Sequence, residues 1–217
     1  MHDSAAYAFV EQAKMRLAEV LGADDDARLR SADLGRIVSH HHTARGKRLL
    51  DDACAKGARV AFGGEVREDQ PYIAATLLEQ VPTSAAVMQE EIFGLLLLPI
   101  LRFRELDKVV ERINAREKPL ALYIWSRDKA RARAILDRTS SGSACVNKIV
   151  VHALDPLLPF GGVNHSGIGS THGEFGFRSF SHARAVANTL IPLTQLFYPP
   201  YTECVKSLIR LVMRWLA

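Results

Sequence analysis

The strongest constraint on this chain is an alternation that begins near residue 95. "LLLLPILRF" is followed by "ELDKVVERINARE", "PLALYIWS", "RDKARARAILDRTSSG" and "SACVNKIVVH". In the second segment Leu106, Val109, Val110 and Ile113 fall on one face at spacings of three and four, which predicts a helix. The fourth is helical behind Ser126, and the apolar, β-branched first, third and fifth segments predict strands. Strand, helix, strand, helix, strand predicts an α/β fold with a parallel sheet and right-handed crossovers. "LLLLPILRF" is expected to be buried on both faces.

Upstream, Ala5, Phe9, Val10, Ala13, Leu17 and Leu21 recur at helical spacing and Gly22 ends the run, so an amphipathic helix is expected over residues 4–21. "GADDDARLRSADLG" has no sustained period and reads as a surface loop. Ser39 then caps a second helix over about 40–56, with Gly57 as its stop. "ARVAFGG" and "YIAATLLEQV" read as short strands. From Asp155 to Gly173 the chain is dense in Gly and Pro yet apolar, as expected of an ordered, functional loop. The end, "TECVKSLIRLVMRWLA", is a basic amphipathic helix. Docking on the body or on a second subunit is the favoured reading, and a weak membrane contact is the sharper one.

Composition narrows the function classes. The chain of 217 residues is 48% apolar and 24% charged, as in soluble globular proteins. A net charge of +4, spread along the chain, excludes a nucleic-acid partner as the working hypothesis. No apolar run approaches the roughly 20 residues of a spanning helix. Cys54, Cys145 and Cys204 are far apart, form no CxxC and follow no secretory leader, so free thiols in the cytoplasm are expected.

Most motif readings fail on chemistry. There is no P-loop and no GxSxG elbow, and the glycines of "GGVNHSGIG" lack the strand–turn–helix context of a dinucleotide fingerprint. His40, His41 and His42 would point about 100° apart on a helix, so no metal is expected and a solvated first turn is the better reading. Cys145 and His152, seven apart on one expected strand, would face opposite sides of it, leaving Cys145 a packed core thiol. Glu90 and Glu91 diverge in any regular element. One of them, Glu91, can accept hydrogen bonds from the vicinal hydroxyls of a ribose, with Phe93 pointing to the same side of an extended stretch.

"MQEEIFG", "NAREKPLALYIWS", "TSSGSACVNKIVVH", "LPFGGVNHSGIGSTHG" and "SFSH" together resemble the C-terminal part of an aldehyde dehydrogenase, closest to the class 3 and coniferyl-aldehyde branch. The likeness runs in order from about Gly35 to Asn188. It implies that Glu91 is the cofactor-ribose carboxylate and Phe93 the aromatic beside the nicotinamide ribose. It also implies that Asn147, Pro159, Phe160, Gly161, Gly162 and His172 shape the active-site wall. Two positions depart from the family pattern: Leu95 stands where Pro is usual, and Asn164 where Gly is usual.

The resemblance implies a partial catalytic domain over residues 1–182, and over 183–217 a bridging strand, "ARAVANTLIP", with the terminal helix. The family's nucleophilic cysteine sits in a Gly-Gln-x-Cys type segment, which does not occur here. Nor do the base glutamate, the oxyanion asparagine or the nucleotide-binding domain. The expectation is NAD- or NADP-dependent oxidation of an aromatic or long-chain aldehyde by the family, from a fragment inactive alone and without a catalytic residue of its own. Its expected partners are a second copy or a full-length subunit. The alternative is a noncatalytic relic or dimerisation module.

Overall fold

The computed structural model describes residues 1–93, 97–188, 190 and 198–216. The chain forms two compact units, Met1–Lys118 with Arg133–Ser140, and Pro119–Ala132 with Ser141–Ala217. It is an α/β protein, as the alternation predicted.

In the first unit, helix α1 (Asp3–Leu21) ends at Gly22, whose φ of 126° suits a residue without a side chain. The expected loop after it holds a short helix, α2 (Asp25–Arg30), which Asp24 caps by accepting from the Ala27 amide. Six residues carry too little periodicity to be read from sequence. Its Arg28 is buried, donating to the carbonyls of Gly22 and Ala23 and lying 4.7 Å from the Phe62 ring centroid. Helix α3 (His40–Ala55) starts at Ser39, which accepts from the His42 amide.

Strands β1 (Arg59–Phe62), β4 (Thr76–Glu79) and β5 (Leu97–Ile100) form one sheet in the order β1-β4-β5. β5 pairs parallel with β4, but β1 is antiparallel to it. No helix lies between β1 and β4; the chain reverses there through a two-stranded hairpin, β2 (Val66–Arg67) and β3 (Tyr72–Ile73), so no crossover is imposed. The expected burial of both β5 faces is corrected: Leu97 and Ile100 are buried, while Leu98 is 49% exposed. The main core gathers Leu49, Leu50 and Ala53 of α3 against Tyr72, Ile73 and Leu78.

Residues 1–3 pair with the segment that follows β5. The Met1 amine donates to the Leu101 carbonyl at 2.6 Å, the Phe103 amide to the Met1 carbonyl at 2.9 Å, and the Asp3 amide to the Phe103 carbonyl at 2.8 Å. His2 and Phe103 form a parallel bridge. Helix α4 (Leu106–Asn114) follows, with Val110 buried.

The second unit is built on a parallel pair, β6 (Ala121–Ile124) and β7 (Ser143–Val146). Helix α5 (Lys129–Arg138) joins them, and the division between units falls within it. The strand expected over "SACVNKIVVH" stops at Val146, and the chain re-forms as a short helix, α6 (Val151–Leu154). A loop leads to α7 (Gly173–Ser179), and the terminal helix is α8 (Glu203–Leu216). Residues 183–188 are exposed and carry no regular element; the rest of the expected bridging strand includes Thr189 and residues 191–192, which lie outside the described residues, as does Leu95. Among the described residues no helix is long and apolar enough to cross a membrane, and no group of three or more His, Cys, Asp or Glu could hold a metal.

Candidate functional site

The "QEEIF" stretch, residues 89–93, sits in the first unit at the end of a loop fastened from outside. The Ala86 amide donates to Asp52 Oδ2 at 2.6 Å, and Lys56 donates to the Ser84 carbonyl at 2.9 Å. The Lys56 ammonium, and then the Ala86 amide, hold the Asp52 carboxyl below its ordinary range. Arg116 donates to the Met88 carbonyl.

Two arginines on α3, three residues apart and so on one face, secure the last part. Arg48 contacts both Glu90 carboxylate oxygens, at 3.0 and 2.8 Å. Arg45 donates to the Ile92 carbonyl at 2.7 Å and also to the Glu91 carbonyl. The Arg48 guanidinium accordingly lowers the Glu90 pKa. The adjacent carboxylates are thus sorted: Glu90 is consumed by α3, while the exposed Glu91 carboxylate takes no partner among the described residues. Phe93 has φ 44° and is 81% exposed, so the chain turns just where the ring stands out.

Arg45 and Arg48 belong to the basic stretch "ARGKR", and a run of charges on a helix is most often a solvated face. The signal that could find them is their i, i+3 spacing along one edge of the apolar face that carries Leu49, Leu50 and Ala53.

The other named residues lie in the second unit. Asn147 follows β7 with φ 56°. Its side chain accepts from the Ser126 amide at 2.9 Å and donates to the Ser126 carbonyl at 2.8 Å, locking the exit of β6. Three residues on, Val150 is also left-handed, φ 63°, an uncommon and strained state for a β-branched residue.

These two turns reverse the chain and overturn the expectation for Cys145 and His152. His152 is not on the strand at all: it comes back on α6, and its Nδ1 lies 3.0 Å from Cys145 Sγ, with both residues buried. The "KIVV" run reads as strand because β-branched residues favour strands; the two left-handed residues leave no trace in that pattern.

An aromatic file continues from this pair. The His152 ring lies 5.8 Å from that of Tyr123 and 5.6 Å from that of Phe160, and Phe160 stacks on His172 at 5.3 Å with 7° between planes. Phe160 and Thr171 exchange backbone hydrogen bonds, drawing together the two ends of the glycine-rich loop. Inside it Gly161 and Gly162 are in the tightest places: a Cβ on the first would strike the Gly169 carbonyl, and on the second that of Ser166. Pro159 and His172 are exposed, and Asn164 has φ 56°, a conformation Asn accepts in place of Gly. The structure thus gathers Phe160, His172, Gly161 and Gly162 into one loop, with Asn147 at the turn after β7. Glu91 and Phe93 belong to the other unit.

Proteins similar to this chain in sequence and in fold point to one family. The sequence model described as "Aldehyde dehydrogenase family" matches residues 1–186. Mouse aldehyde dehydrogenase family 3 member A2 is 42% identical over 176 residues, 80% of this chain and 35% of that protein. The rat "aldehyde dehydrogenase, dimeric NADP-preferring" is also 42% identical, over 81% of this chain and 37% of its own length. Among solved structures, the substrate-bound state of Staphylococcus aureus AldH superposes with a TM-score of 0.82 at 34% identity, covering 97% of this chain and 45% of that one. The chain therefore spans little more than a third of the length of these two curated relatives.

Proposed function

Because this chain belongs to the aldehyde dehydrogenase family, we propose that it is the C-terminal part of a catalytic domain that oxidises an aromatic or long-chain aldehyde, of the coniferyl-aldehyde kind, to the carboxylate. In this reading it supplies the cofactor-ribose side of the site and part of the substrate wall, while the nucleophilic thiol and its base come from another polypeptide segment. NAD or NADP, when bound, supplies the hydride acceptor.

The carrying observation is the sorting of the two glutamates. A carboxylate that must accept two ribose hydroxyls has to be exposed, uncommitted and held from behind. Glu91 meets all three conditions through Arg45 and Arg48, and the exposed Phe93 ring offers a surface for the ribose. Phe160 and His172 stacked on a glycine-pinned loop suit the wall of an aromatic substrate. The dimeric rat relative supports a paired assembly, and the three unpaired cysteines fit a cytoplasmic setting.

The test is dehydrogenase turnover of an aromatic aldehyde with NAD, measured for the purified chain alone and after co-expression with the upstream half of a related enzyme. Activity is expected only in the combined form, with Glu91→Gln raising the cofactor KM about tenfold, the loss of one hydrogen bond to a charged group. Turnover by the chain alone that survives replacement of all three cysteines would sink the proposal.

One observation favours a second reading, a noncatalytic pairing module. Ile168 is fully exposed, and Phe180, Leu190 and Trp215 are nearly so. No activity in either preparation, with the chain folded and bound to a full-length subunit, would select it.

A further inference from the structure

A cavity of about 690 Å³ lies in the first unit between the segment that follows β5 and one face of α4. We propose that it binds a single-chain fatty carboxylate, with the tail along its apolar floor and the carboxylate on Arg112. The choice of a carboxylate head rests on the proposed oxidation, whose product is one; the site itself does not depend on that reading.

The floor comes first. Leu101 and Phe103, just beyond β5, and Val109 and Ile113 of α4 line the cavity, and all four are half-buried. Val109 and Ile113 are four apart and so stand one above the other on the helix. Lys108, Arg112 and Arg116 repeat that spacing beside them and line the same cavity, so an apolar strip runs next to a column of cations. The volume falls within the range of about 300–1,000 Å³ typical of small-ligand sites.

Charge selects the occupant. Like charges four apart on a helix are destabilising, and Glu105 is the one carboxylate among the lining residues. It is engaged by Lys108 at 3.0 Å. Arg102 and Arg104, also at the cavity, pair with Glu79 and Asp3, and Arg116 donates to the Met88 carbonyl. Arg112 has no hydrogen-bond or ion-pair partner among the described residues. A molecule with one negative end and an apolar body complements this arrangement. Its carboxylate takes two parallel N–H···O bonds from a guanidinium, and its tail removes apolar surface from water.

The experiment is equilibrium dialysis of the purified, tag-free chain against radiolabelled dodecanoate below its micelle range, with dodecanol and acetate as matched probes. One dodecanoate is expected per chain, with each matched probe about tenfold weaker, because dodecanol lacks the charged hydrogen bond and acetate the tail. Arg112→Gln should weaken dodecanoate about tenfold and leave dodecanol unchanged, with Arg112→Lys, which keeps the charge but not the fork, in between. Arg112 has no partner to lose, so these variants should fold as the parent does. Backbone amide NMR shifts should move within residues 101–116 and not on α8, whose exposed apolar side chains are the competing place for a tail. Dodecanol binding as tightly as dodecanoate, an unchanged affinity in Arg112→Gln, or shifts centred on α8 overturns the proposal. Dodecyl phosphate binding more tightly than dodecanoate overturns the carboxylate assignment. None of these readouts uses NAD or turnover, so failure here and failure of the dehydrogenase reading show separately.

Discussion

At the scale of single residues, Glu90 and Glu91 have the same side chain and opposite fates, decided by two cations about one helical turn apart on α3. Because Arg48 lowers the Glu90 pKa beneath its ordinary 4.5, the ionised form is the one the fold prefers. The stability this pair contributes is then fully present above 4.5 and lost as pH falls through the depressed value. The stability difference between the parent chain and Glu90→Gln, from denaturant titrations across the acid range, should be flat above 4.5 and shrink below it. A difference independent of pH would show that the pair adds nothing in solution, as exposed pairs often do. Glu91 and Phe93 can be singled out along the chain as candidates because their motif is local. Arg45 and Arg48 cannot be, since their role depends on where α3 meets a loop more than forty residues away.

At the scale of elements, the first sheet carries a buried charge. Glu79 on β4 is 3% exposed and ion-paired with Arg59, its register partner on β1, and with Arg102, just beyond β5. The two arginine side chains are about half exposed, so the costs of removing the partners should be unequal. Glu79→Gln releases two cations that water can solvate. Arg59→Ala with Arg102→Ala strands a buried carboxylate, at a cost of about 3–5 kcal/mol. Urea titrations should therefore rank the double arginine variant well below Glu79→Gln, and equal losses would overturn the asymmetry. None of this could be read along the chain, because the three residues meet only once the strands are paired. Helices α1, α3 and α4 were legible from their apolar period and end signals; α2, too short to have a period, rests on a cap and one buried arginine.

At the scale of the whole molecule, the order of elements was legible and their grouping was not. The alternation predicted one parallel sheet of β5, β6 and β7; of these β6 and β7 do pair in parallel, while β5 pairs in parallel with β4, upstream of the alternation, in a separate sheet. How strands gather into sheets is set by non-local contacts, and β1 runs antiparallel. The chain also leaves large apolar side chains in solvent, with Leu211, Met213 and Trp215 of α8 54%, 62% and 86% exposed. Such surfaces drive association. Sedimentation should show concentration-dependent self-association, shifted toward monomer by Leu211→Glu with Trp215→Glu; a monomer at every concentration would remove the pairing module from consideration. The first three residues have a different consequence, for anyone handling the protein. Since Met1 to Asp3 are hydrogen-bonded alongside Leu101 to Phe103 in a parallel bridge, any peptide placed ahead of Met1 would be directed alongside the end of β5. An affinity tag placed there would be steered along the edge of β5, and its sequence would become part of the sheet's chemistry.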